Sequence, residues 1–154
     1  MANRTKIRDM EQVRRWFEDG WTMAEMRRFY LENYHEETSP AMWTAIRRKL
    51  GYDSTIVHDP ELMPWSLAPE HRHLFPAKML RAEARVRAGK ETARSHELQL
   101  WKAKRQELGQ VVYYDATWPN GFYYVPREPG DGDLVARPGS RELLPAGAEI
   151  PGEI

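Results

Sequence analysis

Ser39-Pro40-Ala41-Met42-Trp43-Thr44-Ala45-Ile46-Arg47-Arg48-Lys49-Leu50-Gly51 is the stretch on which the fold turns. Ser39 suits the position before a helix, where its hydroxyl accepts an otherwise orphaned backbone N–H. Pro40 follows at the first helical position, where its missing N–H costs nothing, and Gly51 closes the helix. Between these caps Trp43, Ile46 and Leu50, three and four apart, make one apolar stripe. Ala41, Met42, Thr44, Ala45 and Arg48 lie away from it, with Arg47 and Lys49 on its flanks. The helix therefore has one face to bury and one, small and basic, to present.

Upstream, Asp9 to Gly20 reads as a helix carrying Met10, Val13, Trp16 and Phe17 on one side. Thr22-Met-Ala-Glu25 has the form of a capping box and opens a second helix with Met23, Met26, Phe29 and Tyr30 as its stripe. The polar run Asn33–Thr38 breaks that pattern, leaving a connection of about eight residues before Pro40. Residues 1–52 are thus expected to form a three-helix domain, with the Trp43 stripe packed on Val13, Trp16, Met26 and Phe29.

Downstream the pattern is looser. Asp59-Pro60, Met63-Pro64 and Ala68-Pro69 mark residues 53–69 as a Pro-rich connector with some apolar residues to pack. A basic helix is expected from Pro76 to about Ala88 and another from about Glu91 to Leu108, the latter with Leu98, Trp101 and Leu108 on one face. The period then changes: Val111–Tyr114 and Phe122–Val125 are β-branched and aromatic runs around a loop ending in Asn120-Gly121, the signature of a β-hairpin. Both faces of each strand are apolar or aromatic. Residues 70–127, helical hairpin plus β-hairpin, are expected to oligomerise. Residues 128–154, acidic and rich in Pro and Gly, read as a loose, irregular tail. The fold class expected is mainly α.

Composition narrows the function. The 154 residues carry no cysteine, no net charge and a mean hydropathy of −0.76. Disulfides, thiolate chemistry and cysteine-bound zinc are excluded. No apolar run of about 18 residues is present and the N-terminus lacks an apolar leader, so a cytoplasmic protein is expected. No phosphate loop, nucleophile elbow or carboxylate pair appears, so neither enzymatic activity, a cofactor nor a small-molecule substrate is expected. Glu70-His71-Arg72-His73 places its histidines two apart, unlike an i, i+4 metal pair, and reads as a polar helix start or surface loop. Gly130-Asp131-Gly132-Asp133 lacks the other ligands of a calcium loop.

A two-faced basic helix is what double-stranded DNA requires. The major groove, about 12 Å wide, admits one helix whose exposed side offers small, polar or basic groups. Thr44 and Arg48 are assigned to base edges, Arg47 and Lys49 mainly to phosphates. Ser39 and the first-turn N–H groups would hold a phosphate oxygen, and Ala41, Met42 and Ala45 permit close approach. A plain three-helix bundle with a solvated basic face has the same pattern, and residues 1–50 hold only ten bases against eight acids. Within its own helix, however, the Arg-Arg-Lys cluster has no acid four residues away.

Gly20-Trp-Thr-Met-Ala-Glu-Met26 followed by Ser39–Gly51 resembles the helix-turn-helix of resolvase-type and phage regulators. More broadly, with Pro64–His71, Met79–Arg85 and Gly121–Glu128, the chain resembles helix-turn-helix DNA-binding proteins carried by phages of actinobacteria, over about residues 9–137. The resemblance implies a DNA-binding regulator. The order of parts is also similar to that of a terminase small subunit, which recognises viral DNA for packaging. A protein-binding adaptor that ignores DNA is the third reading.

Overall fold

The computed structural model describes residues 7–52, 56–139 and 147–151. The chain divides into two compact units, Met1–Ile56 and Val57–Ile154.

The first unit consists of α1 (Met10–Asp19), α2 (Met23–Tyr34) and α3 (Pro40–Leu50). Each helix starts where a side chain satisfies a free N–H. The Asp9 carboxylate accepts from Glu11 and Gln12 at 3.0 and 3.2 Å. Thr22 and Glu25 cap each other's backbone reciprocally, both at 3.1 Å. Ser39 Oγ accepts from the Met42 N–H at 3.2 Å. Gly20 and Gly51 end α1 and α3 in the left-handed conformation that glycine adopts without a Cβ clash. Val13, Trp16, Met26, Tyr30, Trp43 and Ile46 form the core, with Phe29 and Leu50 packed against it. Trp43 is fully buried and meets Tyr30 edge-on at 5.3 Å. Truncating such a residue typically costs about 3–5 kcal/mol, so Trp43 is the anchor that fixes the roll of α3.

The connection before α3 is shorter than the sequence suggests. Asn33 continues α2, its side-chain amide donating to the Phe29 carbonyl at 2.9 Å. His35 then stops the helix at φ 54°, so only five residues, His35–Ser39, separate α2 from α3. Thr38 pins them: its carbonyl accepts from Arg27 Nε at 2.8 Å and its hydroxyl from Trp43 Nε1 at 2.9 Å.

The second unit begins with irregular chain and a 3₁₀ turn, Pro69–His71. It continues through α4 (Phe75–Arg87), α5 (Ser95–Leu108), β1 (Gln110–Tyr114) and β2 (Phe122–Pro126). The strands pair antiparallel with Val112 opposite Tyr124. The expected class holds: the protein is mainly helical with one small hairpin. Val112, Tyr114, Phe122 and Tyr124 face a core that includes Met79, Leu80, Leu98 and Trp101. Val111, Tyr113, Tyr123 and Val125 make the other face, covered by Trp118, Ala136 and Ala148.

The apolar residues of the connector pack as expected: Leu62 is buried and Val57, Met63, Trp65 and Leu67 pack on the second unit's core. Two expectations change here. Segment 128–154 is irregular but, where described, not loose. Its Leu134 carbonyl accepts from the Val112 N–H and its Ala136 N–H donates to the Val112 carbonyl, both at 2.8 Å. Glu149 exchanges two bonds with Tyr124 on the opposite edge. Both edges of the hairpin are therefore occupied, which relieves the pairing hazard of open strands. Finally, Leu108 is exposed, and Arg105 takes its expected place on the buried side of α5. Its guanidinium lies 3.6 Å from the Tyr124 ring centroid, a cation–π contact.

Candidate nucleic-acid interface

Everything proposed for DNA contact lies on α3 and its cap. The structure divides the helix as the spacing predicts: Trp43 and Ile46 are buried and Leu50 half-buried, whereas Ala41, Ala45, Arg48 and Lys49 are exposed. Ala41, Thr44, Ala45 and Arg48 share one strip by helical spacing. Thr44 is half-buried within the strip and Arg47 on its border, Ser39 is exposed at the start, and Met42, expected to stand clear of the buried stripe, packs partly on the unit's core. The candidate residues are thus brought together on a single surface.

The electrostatics of that surface differ from the unit's balanced composition. The side chains of Arg47, Arg48 and Lys49 make no hydrogen bond or ion pair among the described residues. Most of the unit's acids are engaged elsewhere: Glu36 pairs with Arg8 at 2.8 Å and Glu11 with Arg14 at 3.3 Å. Asp9 and Glu25 cap α1 and α2, while Glu18 and Asp19 are buried in α1. Arg28 on α2 is also exposed, and its side chain has no such partner among the described residues. Part of the α3 cluster has a purely structural benefit, because cations in the last turn complement the helix dipole.

One expectation narrows. Pro40 has no N–H and that of Met42 is taken by Ser39 Oγ, so of the first turn only the Ala41 N–H lacks a partner among the described residues. Ser39 serves α3 as its cap, and a phosphate there would meet one free backbone donor.

The second unit was expected to oligomerise partly through exposed strand aromatics. Tyr113, Tyr114, Tyr123 and Tyr124 are all buried within the unit, so that support is removed. On α5, Leu100 is 55% exposed and is an apolar side chain that a second copy would cover. Glu70-His71-Arg72-His73 is also more than a surface loop. His71 is buried, and its Nδ1 lies 2.9 Å from the Tyr114 hydroxyl. Among the described residues no group of three or more potential metal ligands occurs, and no helix is long and apolar enough to cross a membrane.

Comparison with protein-family models, with curated proteins and with solved structures finds no match to this chain.

Proposed function

We propose that the chain binds double-stranded DNA through α3 and acts as a phage-type transcriptional regulator. The observation that carries this reading is the exposed face of α3. Small residues, Ala41 and Ala45, precede three cations that have no partner among the described residues, on a helix locked by Trp43 from behind. Thr44 and Arg48 read base edges; Arg47 and Lys49 hold phosphates. Ser39 and Met42 set the approach of the helix start. A lone helix with few phosphate contacts binds weakly, so the regulator works as a homo-oligomer, paired through the second unit where α5 exposes Leu100.

The test is selection of sites from random duplex DNA, followed by binding of variants to the selected and scrambled sequences. Thr44→Ala with Arg48→Ala should lower preference for the selected site, each lost base contact costing about 1–3 kcal/mol. Arg47→Ala and Lys49→Ala should instead weaken binding to all sequences, each reducing the salt slope by about one. A folded quadruple variant that binds both DNAs like wild type sinks the reading. Mass in solution tests the role: a dimer agrees with a regulator, while a ring of about eight or more copies would point to packaging.

A further inference from the structure

The second unit contains a cavity of about 710 Å³ that draws no lining residue from α3, bordered by the first turn of α4, the start of α5 and the β1–β2 loop. We propose that it binds a small molecule carrying an oxyanion, a phosphate or carboxylate, beside an apolar group. Three independent features point to that chemistry.

The first is Lys78, a half-buried lysine in the cavity wall whose ammonium makes no hydrogen bond or ion pair among the described residues. An unpaired ammonium in the wall offers a charge-assisted hydrogen bond to an anion in the cavity. The second is His71, which is 6% exposed. Tyr114 Oη accepts from the Ala68 N–H at 2.8 Å and lies 2.9 Å from His71 Nδ1. A buried phenol that already accepts needs an acceptor for its own proton, and Nδ1 is the one within reach. Tyr114 therefore donates to Nδ1, which fixes the neutral imidazole as the Nε2–H form. Nε2 has no partner among the described residues and is the ring's remaining polar atom for the cavity it lines. The third feature is α4 itself. It starts with no side-chain cap, and its Phe75 and Ala77 N–H groups meet no acceptor among the described residues. Such a helix start favours negative charge.

Two acids also border the cavity. Glu97 is held by Arg94 at 3.2 Å, and Glu70 is exposed, so solvent screens it. Phe75 and Phe122 supply the apolar wall. Gly121 allows the whole arrangement, because a Cβ there would stand 2.7 Å from His71 Nδ1.

The probe is phenyl phosphate, titrated into the full-length protein while histidine Cε1–H resonances are followed by NMR. One resonance, absent from His71→Gln, should shift saturably. Inorganic phosphate should shift it more weakly and benzyl alcohol not at all. Lys78→Met should weaken binding about tenfold or more, the loss of one charge-assisted contact, whereas Lys104→Met, outside the cavity, should not. Equal shifts with benzyl alcohol, or undiminished affinity in a folded Lys78→Met protein, overturn the proposal. Displacement of phenyl phosphate by random duplex DNA also overturns it, since the oxyanion would then be a DNA phosphate.

Discussion

His35 shows how one residue sets the geometry of the first unit. It is the only non-glycine residue with positive φ among those described, and its backbone N–H closes α2 onto the Leu31 carbonyl at 3.1 Å. A side chain in that conformation is strained by about 1–2 kcal/mol, partly recovered in glycine, whose unfolded chain is freer. The His35 side chain is exposed and makes no hydrogen bond among the described residues, so little is lost with it. His35→Gly should therefore stabilise the first unit by about 0.5–1 kcal/mol, raising its melting temperature by roughly 2–8 °C. A circular-dichroism melt that is unchanged or lower would mean that the left-handed cap is not strained. Residue-scale geometry of this kind is hard to read from the chain alone. Asn33 and His35 look like helix breakers, yet Asn33 continues α2 by bonding back to Phe29. His71 looked like surface, because the Tyr114 that buries it is 43 residues away.

Among the elements, legibility followed the local signal. The limits of α1 and α3 were readable because Asp9, Ser39, Gly20 and Gly51 carry their caps in sequence. The exposed strip of α3 followed from the same spacing, and only its pattern of unpaired charge needed three dimensions. The edge pairing of the hairpin was not readable. Leu134-Val135-Ala136 is too short to show a strand period, and its acidic, Gly-rich surroundings resemble a tail. Yet those three residues are buried, and Asp133 ties the segment to α4 through Arg87 at 2.8 Å. Burial alone would raise the Asp133 carboxyl, but its hydrogen bond to Arg87 and the adjacent charge overcome this and hold it below the ordinary value. Removing residues 131–154 should thus expose both strand edges along with the face formed by Tyr113 and Tyr123. The expected outcome is a lower melting transition and concentration-dependent aggregation by light scattering. A truncated chain that stays as stable and as dispersed as the whole would show that these edge bonds contribute nothing to stability.

For the whole molecule, the division at Ile56 and Val57 bears on how the protein works. The core of the first unit is drawn wholly from α1, α2, α3 and their flanks, with Trp16, Tyr30 and Trp43 as its bulk. A chain of this length lies near the lower limit for independent folding, where about 60% of the unfolded surface is buried. Dense aromatic packing offsets that: Trp16 stacks on Trp21 at 4.5 Å and meets Phe29 at 4.9 Å. A fragment of residues 1–56 should therefore show a helical spectrum and a cooperative melt on its own. Because α3 and its cap carry all the groups assigned to base edges and phosphates, the fragment should also keep the sequence preference of the full chain. Its affinity should fall, since pairing through the second unit would be lost, and binding by the fragment should follow a simple one-site curve. If the fragment folds but shows no preference among DNA sequences while the intact protein does, recognition does not reside on α3. If it binds as tightly as the whole, the second unit does not supply the pairing assigned to it, and its cavity would stand as that unit's remaining assigned role.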